Sequence, residues 1–201
     1  DGKVDENDKN KNHPIAANNS SKTALTWGKY LFPMSQYYNI WDTGINTVLF
    51  RYAEVLLCYA EAENELNGPS DDVYDKLNLI RNRVGMPHVD VAKYNTQDKL
   101  RELIRRERSI EMAGEGLRRA DILRWRDAAG KMLAETLLNG DLLRPMGTID
   151  YAEANPYKRA VVNPNRKVLI EPRSFAPYNR YLPIPQKYRD LNDKLEQNEG
   201  Y

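Results

Sequence analysis

The residues with the most chemical potential lie between 104 and 125. Glu107, Arg108 and Glu111 sit within little more than one helical turn, and Glu115, Arg118, Asp121 and Arg124 follow close behind. Two carboxylates one turn apart are the raw material for general acid/base work or for holding a divalent cation. Either use needs further groups, and none joins the pattern. No serine, cysteine or histidine stands at a matching helical spacing, and the only histidines, His13 and His88, lie in loops near proline. The reading favoured by the residue types is an ion-pair network. Glu107 and Glu111 continue an apolar stripe set by Leu100, Leu103 and Ile104, so they are expected to be largely buried. A buried carboxylate persists only when paired and hydrogen-bonded, and the planar fork of arginine suits that task. Arg81 and Arg118 are the expected partners.

Other chemistry-bearing patterns are absent or weak. There is no glycine loop of the kind that cradles phosphate, no paired CxxC and no G-x-S-x-G elbow. Asp5, Asn7 and Asp8 suggest a calcium loop only faintly, because Lys9 takes a ligand position and the closing glutamate is missing. No cofactor and no metal is expected. Aromatic residues gather in a stretch without helical periodicity: Trp27, Tyr30, Phe32, Tyr37, Tyr38 and Trp41. Such rings pin loops to a core or line a ligand surface. Tyr37, Tyr38 and Trp41 are the candidate ligand-binding residues.

The elements that must position these groups are mainly helical. Residues 1–50 read as an irregular, aromatic-containing segment. Residues 51–137 form a helical core, and residues 138–201 an extended, loop-rich C-terminal region of the same domain, folded back on the helices. Ala53, Leu56, Leu57 and Ala60 follow helical spacing, and Val55, Tyr59, Ala62 and Leu66 make a second stripe. A helix with two stripes packs on two sides. Gly68-Pro69 ends it. Ser70 then caps a second helix, with Asp71 and Asp72 in its first turn and Val73, Leu77, Ile80 and Val84 on its buried face. The pair makes a hairpin of tetratricopeptide length. A third helix is expected from Thr96 to Ala113 and a fourth from Glu115 to Leu133. Beyond them lie a small β-hairpin candidate around Lys167–Ile170, an extended path through Pro183 and Pro185, and a short helix near Gln186–Leu191.

Bulk properties narrow the function classes. In 201 residues, Lys and Arg total 30 and Asp and Glu total 29, so no net field steers the protein to nucleic acid. Cys58 is the only cysteine, which rules out an intrachain disulfide. It stands in an apolar helical stretch and is expected to behave as a small hydrophobe. No apolar run approaches the ~20 residues that span a bilayer.

Four segments, taken together and in order, resemble the SusD/RagB family. Arg51–Leu66, RYAEVLLCYAEAENEL, is similar to the helix that opens its last tetratricopeptide-like unit. Asn78–Pro87, NLIRNRVGMP, resembles its second helix. Ile104, Glu107-Arg108, Glu111, Glu115-Gly116, Arg118, Asp121 and Arg124-Trp125 match its charged core motif. Tyr181–Tyr201 resembles its C-terminal signature, with Asp193 and Glu199 where that signature usually carries proline and Tyr188 where it often carries glutamate. The resemblance implies a mainly α, SusD-like fold, corresponding to the C-terminal portion of longer family members. It implies binding without catalysis: a surface-exposed outer-membrane lipoprotein that captures oligosaccharides, or peptides in the RagB branch, with a SusC-like TonB-dependent transporter. The lipid anchor would then lie outside this chain. A helical-repeat scaffold for another protein is the alternative from the residues alone.

Overall fold

The apolar stripe Leu56, Leu57 and Ala60 runs along α1, Tyr52–Asn67. In the computed structural model, which describes residues 28–30, 46–150, 152–154 and 160–201, this stripe packs on two further helices. Gly68 ends α1 with a positive φ of 79°, a conformation in which a β-carbon is strained. Ser70 caps α2, Asp71–Arg83, by accepting the Val73 N–H through Oγ at 3.4 Å. The turn between the helices is three residues long, so α1 and α2 form a hairpin. Thr96 caps α3, Gln97–Glu111, by accepting the Lys99 N–H at 3.4 Å. Leu56, Leu57, Val73, Leu77, Ile80, Leu100, Leu103 and Ile104 make one core. Burying a leucine or isoleucine side chain contributes about 1.5–3 kcal/mol, so this cluster is the main apolar term in holding the three helices together.

The second stripe of α1, Val55, Tyr59, Ala62 and Leu66, is exposed, Leu66 to 79%, with Lys76 Nζ 5.3 Å from the Tyr59 ring centroid. Val84, expected on the buried face of α2, is exposed as well, because the helix has already ended at Arg83. Cys58 also departs from expectation. It is exposed, and its Sγ lies 3.4 Å from Arg108 Nη1, so its neighbour is a guanidinium and not an apolar core.

The expected fourth helix from Glu115 to Leu133 is broken into pieces. Gly114 and Gly116 both take positive φ, and α4 covers only Arg118–Arg124. Asp127 then competes with helix formation. Its Oδ1 accepts the N–H groups of Ala129 and Lys131, each at 2.9 Å, and Gly130 closes the turn at φ 77°. Arg126 pairs with Met132 across this turn, and α5, Leu133–Leu137, starts afresh with the Met132 N–H donating to Glu135 Oε1.

The chain divides into two compact units, one of Tyr30–Asp121 and one built on Ile122–Tyr201. The second unit has its own small core of Ile122, Met132 and Ala134, with Leu123, Leu133, Leu138 and Phe175 packed against it. It carries an antiparallel ribbon, far longer than the expected hairpin. β1, Gly140–Ile149, pairs with β2, Ala160–Arg173, and the register shifts between Leu142 and Leu143 and again between Pro145 and Met146. A single 3-10 turn, Pro177–Arg180, and α6, Gln186–Arg189, complete the unit.

Side-chain amides do in this fold what a backbone ladder does elsewhere. Asn139 donates to Phe175 O at 2.9 Å and accepts the Phe175 N–H at 2.7 Å, which ties together the two ends of the ribbon. Gln197 accepts the Ile184 N–H at 2.8 Å and donates to Ile184 O at 3.1 Å. Asn198 adds a bond to Leu182 O, and the Tyr201 hydroxyl one to Tyr181 O. The extended Leu182–Pro185 path cannot pair fully with another strand, because prolines remove donors. The amides supply the missing partners. Gln197→Ala is therefore expected to lower the stability of the second unit by about 1–2 kcal/mol. Urea unfolding followed by hydrogen exchange at Ile184 and Asn198 checks this. Gln197→Glu, which keeps the acceptor and loses the donor, is expected to fall between wild type and alanine.

Candidate functional site

Of the charged residues singled out in the sequence, Glu107, Arg108, Glu111, Glu115 and Asp121 make ion pairs around the C-terminal half of α3. Arg108 is the most buried of them, at 5% exposure, and donates through Nε to Asp121 Oδ2 at 2.8 Å. Asp121 is itself 2% exposed. Glu54 on α1 stands 3.7 Å from the other side of the same guanidinium. Burial opposes the Arg108 charge, but the hydrogen bond and the field of Asp121 outweigh it, and the net shift of its pKa is upward.

Glu107 and Glu111 are each about one-eighth exposed and each meets arginine. Arg81 reaches Glu107 Oε1 at 3.0 Å and also donates to Pro87 O at 3.0 Å. Glu111 Oε1 accepts from Arg51 Nη1 and from Arg83 Nη2, both at 2.8 Å. Arg51 and Arg83 were not among the expected partners. Arg51 precedes α1 and is 60 positions from Glu111, so no local spacing exposes the relation. Its fork does several jobs at once. It binds Glu115 at 2.7 Å, donates to the Glu111 carbonyl at 2.9 Å and touches Met112 Sδ. The carbonyl is one of the orphan acceptors at the end of α3. Tyr30 adds its hydroxyl to Glu115 at 2.9 Å. Hydrogen bonding to Glu115, then to Glu111, raises the Arg51 pKa despite burial. Arg118, at the start of α4, is exposed. Arg124, at its end, is exposed too and lies 5.0 Å from the Trp125 ring centroid, while Trp125 itself is buried.

Several residues of the segment Asn78–Pro87 have a defined contact. Asn78 Oδ1 accepts the Val89 N–H at 2.8 Å, Ile80 enters the core, Arg81 serves Glu107, Asn82 meets His88 at 2.9 Å and Arg83 serves Glu111. Gly85 takes φ 68° to turn the chain.

Chemically, this corner positions helices. Each of Glu107, Glu111, Glu115 and Asp121 is engaged by at least one arginine. No group of three or more metal-ligating side chains gathers among the described residues. The calcium-like residues Asp5, Asn7 and Asp8 lie outside the described residues, as do the candidate ligand-binding residues Tyr37, Tyr38 and Trp41.

A helical hairpin, a third helix closed by arginine–carboxylate pairs and a ribbon-bearing C-terminal unit define a SusD-like architecture. The fold is similar to that of a SusD-like protein from Bacteroides fragilis, with a TM-score of 0.56 and 27% identity over 78% of this chain and 26% of that one. The SusD family model matches residues 3–201, and the chain belongs to that family. One SusD-like protein of Formosa agariphila is 32% identical over 161 residues, 78% of this chain and 25% of the relative. Another from the same organism is 38% identical over 93 residues, 43% of this chain and 18% of the relative. The chain thus spans about a quarter of the length of the first of these relatives.

Removing one partner of a buried pair leaves an uncompensated charge, so Arg108→Leu and Asp121→Asn are each expected to cost about 3–5 kcal/mol by chemical denaturation. The double variant is expected to recover part of that loss, because neither charge is then stranded. At the more exposed Arg51, replacement by lysine keeps the charge but loses the fork. Arg51→Lys is expected to lower stability by about 1–2 kcal/mol, read as a shift in the same unfolding midpoint.

Proposed function

We propose that this chain is the C-terminal part of a cell-surface nutrient-binding protein that captures oligosaccharide for a SusC-like TonB-dependent transporter. Membership of the SusD family over residues 3–201 carries this reading. The engaged state of the corner carboxylates supports binding over catalysis, because a glycan-cleaving site needs two carboxylates facing a sugar and available to it. The net charge of +1 supports a neutral ligand over nucleic acid. No helix among the described residues is long and apolar enough to cross a membrane. Residence on the outer face of the outer membrane, through a lipid anchor and the transporter, is part of this reading. In this reading Tyr37, Tyr38 and Trp41 contribute stacking faces for the glycan.

The test uses the full-length protein. It is expected to co-purify with an outer-membrane transporter in mild detergent, to bind neutral oligosaccharide and to turn over no fluorogenic glycoside. A folded triple alanine variant at Tyr37, Tyr38 and Trp41 is expected to bind about tenfold or more weakly, since each lost stacking face removes part of a ~1.4 kcal/mol step. Binding of peptides in place of glycans would transfer the protein to the RagB-like reading. Failure to bind either, with no transporter retained, would refute the proposal.

A further inference from the structure

The second unit contains a half-open cleft of about 340 Å³, lined by Pro177, Tyr178, Arg180, Tyr181, Glu199 and Gly200. That volume is at the small end of the ~300–1,000 Å³ range of ligand pockets. The walls are fixed by bonds made away from the opening. The Tyr201 hydroxyl donates to Tyr181 O at 2.9 Å and accepts from Asn179 Nδ2 at 3.2 Å. The Tyr178 and Tyr201 rings meet edge to face, with centroids 5.2 Å apart. Gly200 is pressed against Tyr178 so closely that a β-carbon would stand 2.4 Å from Cγ. Only glycine fits there, and its φ of 93° is one that side-chain-bearing residues rarely adopt.

What the cleft offers a ligand is specific. Tyr178 and Tyr181 leave 41% and 52% of their surface open although both belong to this well-bonded corner. The Arg180 guanidinium stands 4.7 Å from the Tyr181 ring centroid. Glu199, also in the lining, is exposed. An apolar ligand filling this space would strip water from a guanidinium and a carboxylate without replacing their hydrogen bonds. An anion would meet Glu199, and a cation would meet Arg180. A neutral molecule with one apolar face and several hydroxyls fits all four groups. Its C–H face lies on a tyrosine ring, and its hydroxyls donate to the carboxylate and accept from the guanidinium. We infer that this cleft is a secondary subsite for a single neutral pyranose ring, an inference that rests on the glycan-binding reading above and adds a second contact point to it.

The full chain, labelled with ¹⁵N, is titrated with maltohexaose, cellohexaose, xylohexaose and mannohexaose. At least one sugar is expected to shift the amides of Tyr178, Tyr181 and Gly200 saturably. Glu199→Gln, a change at an exposed position, and Tyr181→Ala are each expected to weaken that binding by about three- to tenfold, the loss of the acceptor's charge or of one stacking face. Tyr181→Phe, which keeps the ring, is expected to retain it. Three results overturn the subsite: none of the four sugars shifts these amides, a sugar shifts them but binds the Glu199 and Tyr181 variants as tightly as wild type, or a neutral tripeptide shifts them where the sugars do not. A sugar that binds only outside residues 177–200 removes the subsite and leaves the glycan reading standing. Loss of that reading is seen separately, in a full-length protein that binds no glycan.

Discussion

A helix that carries charge on its buried face can pack only if every charge arrives with its partner, and α3 is such a helix. Its stripe begins with Leu100, Leu103 and Ile104 and ends with Glu107, Arg108 and Glu111. The apolar half provides the driving force for docking on α1 and α2. The charged half decides which docking is allowed. Arg108 must find Asp121, Glu107 must find Arg81, and Glu111 must find Arg51 and Arg83. Those partners come from the residue before α1, from α2 and from α4. A slip of α3 by one turn would leave several charges in a poorly solvated place at once, a cost of several kcal/mol per ion. The network therefore sets the register of the three helices more than it adds net stability.

Much of the first unit was legible because its signals are local. Ser70 and Thr96 announce the helix starts, Gly68 and Gly85 the stops, and the apolar spacing of α1 to α3 names most of the core, though it misses Tyr74, Val89 and Met112. Burial called for arginine partners at Glu107 and Glu111, and of the two arginines expected, Arg81 is found on Glu107. Arg51 was not legible as a partner. Its contacts lie 60 or more positions away, and nothing in a run of residues distinguishes a fork that serves Glu111, Glu115 and a helix-terminal carbonyl from an ordinary N-terminal arginine. The long fourth helix was misread for a related reason. Glu115 to Leu133 read as one helix, but Gly116 and Gly130 take positive φ and Asp127, whose oxygen takes two backbone donors, makes a turn between α4 and α5. The aromatic residues named as ligand-binding candidates lie outside the described residues, so the structure leaves that reading where the sequence placed it.

The second unit uses a different economy of contacts. Its apolar core is small, and its extended segments are rich in proline, so neither burial nor strand pairing can hold it alone. Asn139, Gln197 and Asn198 close it by giving peptide groups the partners that a neighbouring strand would have supplied. An analogous exchange joins α1 to α3, where Asn64 donates to Gln97 O and the Gln97 side chain donates to Asn64 O and Glu65 O at the end of α1. The tight corner at Tyr178, Gly200 and Tyr201 follows from this closure, and so does the cleft beside it.

The ribbon of β1 and β2 has a further consequence, for solubility. A sheet of two strands has two outer edges, and each edge is a row of peptide groups onto which a strand of another molecule could add. Fibrils grow by such addition. Here the edges are interrupted. Pro145, Pro164 and Pro172 each delete a donor, and the two register shifts bend the strands. A second ribbon approaching edge to edge would meet gaps in the bonding pattern. Those prolines, which weaken the ribbon as a sheet, also make its edges poor templates for a further strand.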